Sequence, residues 1–79
     1  MSIEDRTKKA IADLFGIELG TVTNELSLVA DIGADSLDQI ELVMALEDEF
    51  SIDIVDDEAM KCRTVGDVVQ LICNYPNAA

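Results

Sequence analysis

The sequence predicts an all-α fold: a small four-helix bundle of three longer helices and one short one, with a long loop between the first two. Three observations carry that expectation. No segment alternates apolar and polar residues with the period of two that a half-buried strand requires. Helix-start signals at Ser36 with Gln39 and at Thr64 with Asp67 each precede an apolar run of helical spacing. The 79 residues, 49% hydrophobic, suffice for one domain spanning 1–79. A chain of that size is expected to bury only about 60–65% of its unfolded surface.

The first helix begins at Ser2, a good N-cap with Asp5 three residues on. Ile3, Thr7, Ala10, Ile11 and Leu14 then keep helical spacing as far as Phe15, and Gly16 is the stop. Residues 17–35 contain Gly20 and Gly33 and hold no sustained helical period. A loop of about twenty residues is unusual in so small a domain and is either functional or pinned to the core. Val22, Leu26, Leu28 and Val29 are the candidate pins. Ser36 and Gln39 read as the capping box of the second helix, which continues through strong helix formers to Phe50. Ser51 to Asp57 is a break, and Asp57 to Met60 adds one short helical turn or two. The last helix starts at Thr64, carries Val65, Val68, Val69 and Ile72 on one face, and ends at Asn74 and Pro76.

The second helix departs from the usual amphipathic pattern. At about 100° per residue, Leu42, Val43, Leu46 and Phe50 form a core stripe. Leu37, Ile40 and Met44 fall nearly opposite, on the side that also carries Glu41, Glu47 and Asp48. Burying both sides would strand those carboxylates, so the helix is expected to expose an apolar strip framed by acids. Its charges are all negative: Asp38, Glu41, Glu47, Asp48 and Glu49. The last three sit at the negative end of the helix dipole, where each costs about 0.3–1 kcal/mol. No Lys or Arg occurs between Ala10 and Met60 to offset them. An acidic rim around Ile40 and Met44 is the pattern of a docking face for a basic partner.

Composition removes several functions. Seventeen acids against five bases give a net charge of −12. Nucleic-acid binding through phosphates and adsorption to anionic membranes both need the opposite sign. No run reaches the ~18 apolar residues of a membrane span, and the acidic Ser2-Ile3-Glu4-Asp5 opening does not resemble a secretory signal. Cys62 and Cys73 form no C-x-x-C pair and fit a reducing cytoplasm as small apolar residues. Asp53, Asp56, Asp57 and Glu58 lack the spacing of a calcium loop, so no dedicated metal site is expected. The absence of histidine removes Ser–His and Cys–His catalysis. Ser36 is placed where the long loop meets the charged helix. With no histidine to take its proton, and with Asp35 and Asp38 disfavouring an oxyanion beside it, it is not an enzyme nucleophile. A serine acted upon by another protein's base and metal escapes that objection.

Gly33-Ala34-Asp35-Ser36-Leu37-Asp38, continued by Glu41-Leu42-Val43-Met44-Ala45-Leu46-Glu47, resembles the acyl carrier proteins of dissociated bacterial (type II) fatty acid synthesis. The likeness extends to Ser2-Ile3-Glu4, to Asp56-Asp57-Glu58-Ala59 and to Thr64-Val65-Gly66-Asp67. The resemblance implies a non-catalytic carrier. Ser36 receives 4′-phosphopantetheine from coenzyme A, by a separate magnesium-dependent phosphopantetheinyl transferase, and the arm's thiol holds acyl groups as thioesters. It further implies that the acyl chain tucks between the helices. Fatty acid synthesis enzymes and acyltransferases would dock on the second helix, at Asp35, Leu37, Asp38, Ile40, Glu41, Met44, Glu47 and Asp48. A cytoplasmic monomer is expected. The sequence departs from the family pattern at Ala30, often an acid, at Val55, a frequent proline, and at Cys62, usually aliphatic. It departs again at the tail Cys73-Asn74-Tyr75-Pro76. These departures leave open a specialised carrier for a polyketide or secondary-lipid pathway; a carrier of aminoacyl, peptidyl or D-alanyl cargo is a rival reading, and an acidic adaptor whose serine is only a cap is the reading from a different class.

Overall fold

The computed structural model describes residues 2–76 and 78; Met1, Asn77 and Ala79 lie outside the described residues. Its first helix, α1 (Ile3–Phe15), starts and stops where its caps dictate. The Ser2 hydroxyl accepts from the Asp5 N–H at 3.1 Å. Gly16 closes the other end in the left-handed conformation (φ 67°), which glycine adopts without a Cβ penalty. A 3₁₀ turn (Leu19–Thr21) follows, then α2 (Ser36–Phe50), the short α3 (Asp56–Met60) and α4 (Val65–Cys73). Among the described residues no strand forms; Ser27 and Thr64 make one isolated antiparallel bridge.

The core lies where α1 packs against α2 and α4. Ile11, Leu46, Phe50, Val65 and Ile72 are essentially inaccessible. Thr7 is equally buried and satisfies its hydroxyl on the Ile3 carbonyl at 2.8 Å. α3 packs beside α2 and α4 but buries no side chain of its own, which makes it the least anchored helix.

The long loop is tied to the start of α4. The first N–H groups of a helix have no partner inside it, and here the loop supplies carbonyls for two of them. Val65 N–H donates to Leu26 O at 3.0 Å and Gly66 N–H to Asn24 O at 2.9 Å. The next, Asp67 N–H, donates to the Thr64 hydroxyl at 3.2 Å. In return Leu28 N–H donates to Arg63 O at 2.9 Å. Val22 and Leu28 are buried and Leu26 is half-buried, so three of the expected pins hold. Val29 does not: it is exposed, because the turn after Ser27 sends Leu28 inward and the next side chain out. In that turn the Asp31 carboxylate accepts from Ser27 N–H at 2.8 Å and the Ser27 hydroxyl from Ala30 N–H at 3.0 Å. Buried Ala34, whose N–H donates to Leu28 O at 2.8 Å, then delivers the chain to α2.

Candidate functional site

α2 does not begin as the sequence indicates. Ser36 is its first helical residue and the cap is Asp35. The Asp35 carboxylate accepts from Asp38 N–H at 2.9 Å, while the Asp38 carboxylate accepts from Asp35 N–H at 3.1 Å. This reciprocal box displaces the expected Ser36–Gln39 pair, since an aspartate one residue earlier is an equally good cap with an acidic partner in place. Ser36 is thereby freed. It is exposed, and among the described residues its hydroxyl makes no hydrogen bond. The two nearest carboxylates are held in the cap instead of acting on it.

The outer face of α2 is as expected. Leu37, Ile40 and Met44 are exposed at 62%, 52% and 60%, values that leave each at least half open to solvent. Asp35, Glu41 and Asp48 are exposed and Asp38 is half-buried. Glu47 is different: it is half-buried and accepts from Ile54 N–H at 2.9 Å, which ties α2 to the segment entering α3. Glu49 is also not free. Arg6 of α1 donates to its carboxylate and to its backbone carbonyl, each at 2.8 Å, and stacks 4.5 Å from the centroid of the Phe50 ring. A cation therefore does offset the end of α2, supplied from far along the chain.

Behind the acidic face, α2, α3 and α4 enclose an apolar cleft lined by Leu42, Leu46, Ile54, Ala59, Cys62 and Leu71, with about 20 Å³ of free space. That is room for about one water, so the cleft is closed to anything the size of an acyl chain. Gln39, one turn after Ser36, borders both the cleft and a surface groove shared with Val29, Cys62 and Arg63. A second groove runs between Ile40, Met44, Glu47, Asp56 and Met60. A larger hollow, about 660 Å³, lies between α1 and the start of the long loop, is lined by Asp5, Lys8 and Asn24, and shares no residue with the cleft. Cys62 is half-buried rather than fully enclosed; its Sγ lies 3.7 Å from Glu58 O. Burial, followed by the charges of Asp67 and Glu58, raises its thiol pKa, so it is less reactive than flanking Lys61 and Arg63 imply. Among the described residues no cluster of three or more His, Cys, Asp or Glu is placed to hold a metal ion.

Fold and site together define a class: a small helical module that holds a serine hydroxyl out at a helix start, with an apolar cleft behind it, as a carrier protein does. The chain belongs to the family described as the phosphopantetheine attachment site, which it matches over residues 5–72. It is a carrier domain whose covalent group is 4′-phosphopantetheine. Among solved structures it is similar to a protein from Mycobacterium tuberculosis provisionally designated an acyl carrier protein. The two are 33% identical over 91% of this chain and 96% of the other, with a TM-score of 0.84. Among the described residues no helix is long and apolar enough to cross a membrane.

Proposed function

We propose that this chain is an acyl carrier protein of bacterial fatty acid synthesis and that Ser36 bears its arm. The observation that carries the assignment is the state of Ser36: exposed, unbonded, and at the first position of a helix capped by its neighbour. The site fits a phosphodiester. The Ser36 and Leu37 N–H groups belong to the first turn and have no partner among the described residues, and such donors favour an anion. When attached, 4′-phosphopantetheine supplies the thiol on which acyl groups are held as thioesters.

The rest is done by the chain's own residues. Asp35 and Asp38 fix the start of α2 so that Ser36 Oγ is held out for a transferase whose own base takes the proton. Leu42, Leu46, Ile54 and Ala59 offer an apolar interior that excludes water, and because it is closed the helices must part to admit an acyl chain. Asp35, Glu41 and Asp48 present negative charge around Leu37, Ile40 and Met44, a face suited to the transferase and to synthase and acyltransferase partners with basic surfaces. The carrier has no activity of its own in this reading and acts as a monomer in the cytoplasm.

Incubation with coenzyme A, magnesium and a broad-specificity phosphopantetheinyl transferase, followed by intact-mass measurement, tests the site. The arm should appear on the parent and be absent from Ser36→Ala. An adduct on Ser36→Ala would place the attachment elsewhere.

A further inference from the structure

The segment entering α3 is held by two side chains that reach it from different parts of the chain. Glu47 of α2 accepts from Ile54 N–H at 2.9 Å, and the next N–H, that of Val55, donates to the Tyr75 hydroxyl at 3.0 Å. Val55 is the N-cap of α3 and has no side chain able to cap it. Glu58 is the third helical residue, the position whose carboxylate closes an ordinary capping box on the N-cap N–H. Here the Tyr75 hydroxyl stands between the two. It accepts from Val55 N–H and donates to the Glu58 carboxylate at 3.4 Å, the longer and weaker of the pair. The tail thus completes, through a tyrosine, a box that α3 cannot close alone.

This clasp joins two departures noted in the sequence. A proline at position 55 has no N–H to give, and Tyr75 lies in the unusual tail. The half-buried Tyr75 ring packs against the core, so its hydroxyl is carried by a fixed base. α3 buries no side chain, yet Ile54, Ala59 and Cys62, from its flanks and its body, line the closed cleft.

We infer that Tyr75 is a positioning residue of the carrier: its hydroxyl latches α3 over the cleft, and an acyl chain is admitted when that latch releases. The inference rests on the reading of the cleft as the acyl site, but the latch itself is measurable without an arm. Cys62 lies two residues past the end of α3 and reports its opening, while exposed Cys73 serves as the internal reference. Two single changes cut the latch from opposite sides. Tyr75→Phe keeps the ring and removes the hydroxyl. Val55→Pro removes the donor at a residue whose φ of −70° proline accepts.

On the arm-free chain, both variants should raise iodoacetamide alkylation of Cys62 about three- to tenfold, the ratio expected for one lost hydrogen bond. Cys73 should be unchanged, and the double variant should go no further than either single one. In Tyr75→Phe, the Val55 amide should also exchange its hydrogen faster. Unchanged Cys62 reactivity, additive effects, or an equal rise at Cys62 and Cys73 that reports global loosening would each overturn the latch. With an octanoyl arm loaded, Tyr75→Phe should speed the interconversion of buried and extended chain, read by exchange NMR of Ala59 and Leu46. An unchanged rate beside a faster Cys62 would leave the latch in place and overturn its role in admitting the chain. Failure of the arm to attach at Ser36 would instead refute the carrier reading, and the arm-free results would be unaffected.

Discussion

Replacing Asp35 by alanine removes the side chain that caps α2, whereas replacing Ser36 leaves the cap intact. The structure assigns the bond to Asp38 N–H, 2.9 Å long, to Asp35 and none to the serine. Loss of such a cap costs about 0.5–2 kcal/mol, typically ~1. In a domain of this size each kcal/mol lowers Tm by about 4–8 °C. The companion bond, from Asp35 N–H to the Asp38 carboxylate, uses the backbone and survives the change, which argues for the middle of that range. Ser36→Ala puts a good helix former on an exposed first-turn position and should stay within about 0.5 kcal/mol of the parent. Removing Asp35 also removes one charge from a chain of net −12, so Asp35→Asn is the control: asparagine caps as well as aspartate. Urea unfolding followed by circular dichroism, with parallel mass analysis of arm attachment, separates the effects. Asp35→Ala should be less stable than Asp35→Asn, and Ser36→Ala should be stable yet unmodified. Equal losses for Ser36→Ala and Asp35→Ala, or no gap between the two Asp35 variants, would show that the cap is not where the structure puts it.

Ser51 closes α2 in the left-handed region at φ 54°, without glycine's freedom, so Ser51→Gly should stabilise by about 0.5–1 kcal/mol in thermal unfolding. Arg6→Ala should cost about 1–2 kcal/mol by the same measurement, combining a partly exposed ion pair, a carbonyl contact at the end of α2 and the stacking on Phe50. The Asp67 carboxyl is held below its ordinary value of 3.8 chiefly by the Arg63 and Thr64 N–H groups, 3.0 and 3.2 Å away. A lowered folded pKa stabilises above the ordinary value and is lost as pH falls through the folded one. Asp67→Asn should therefore be less stable than the parent at neutral pH, and urea titrations should show the gap closing below about pH 4. For docking, stopped-flow mixing with the transferase should show slower, less salt-sensitive association for Glu41→Lys and Asp48→Lys, and faster dissociation for Met44→Ala.

Helix order, the core stripe of α2 and the exposed strip of Leu37, Ile40 and Met44 were legible in the sequence because each depends on spacing within a few residues. The exact start of α2 was not. Asp35 and Ser36 are adjacent residues that both favour caps, and each has a partner three residues on; only the fold shows which side chain turns back. Glu49 read as uncompensated because its cation, Arg6, lies 43 positions away. Glu47 read as a rim charge because nothing local shows that its carboxylate turns toward Ile54. The tail looked merely divergent until Tyr75 was seen against Val55, 20 residues earlier.

The exchange of hydrogen bonds between the loop and the last helix also bears on how the chain is made. A nascent chain emerges from its amino end, so Ser36 is in solution before residues 63–66 have left the ribosome. Until they do, Leu26 and Asn24 have no N–H groups to meet and Leu28 has no carbonyl, and the loop leading to Ser36 lacks the support that shapes it. The folded surroundings of the serine therefore cannot be complete until residues 63–66 have emerged. A transferase that recognises those surroundings must wait for that segment, while one that reads only the local Asp35-Ser36-Leu37 stretch need not.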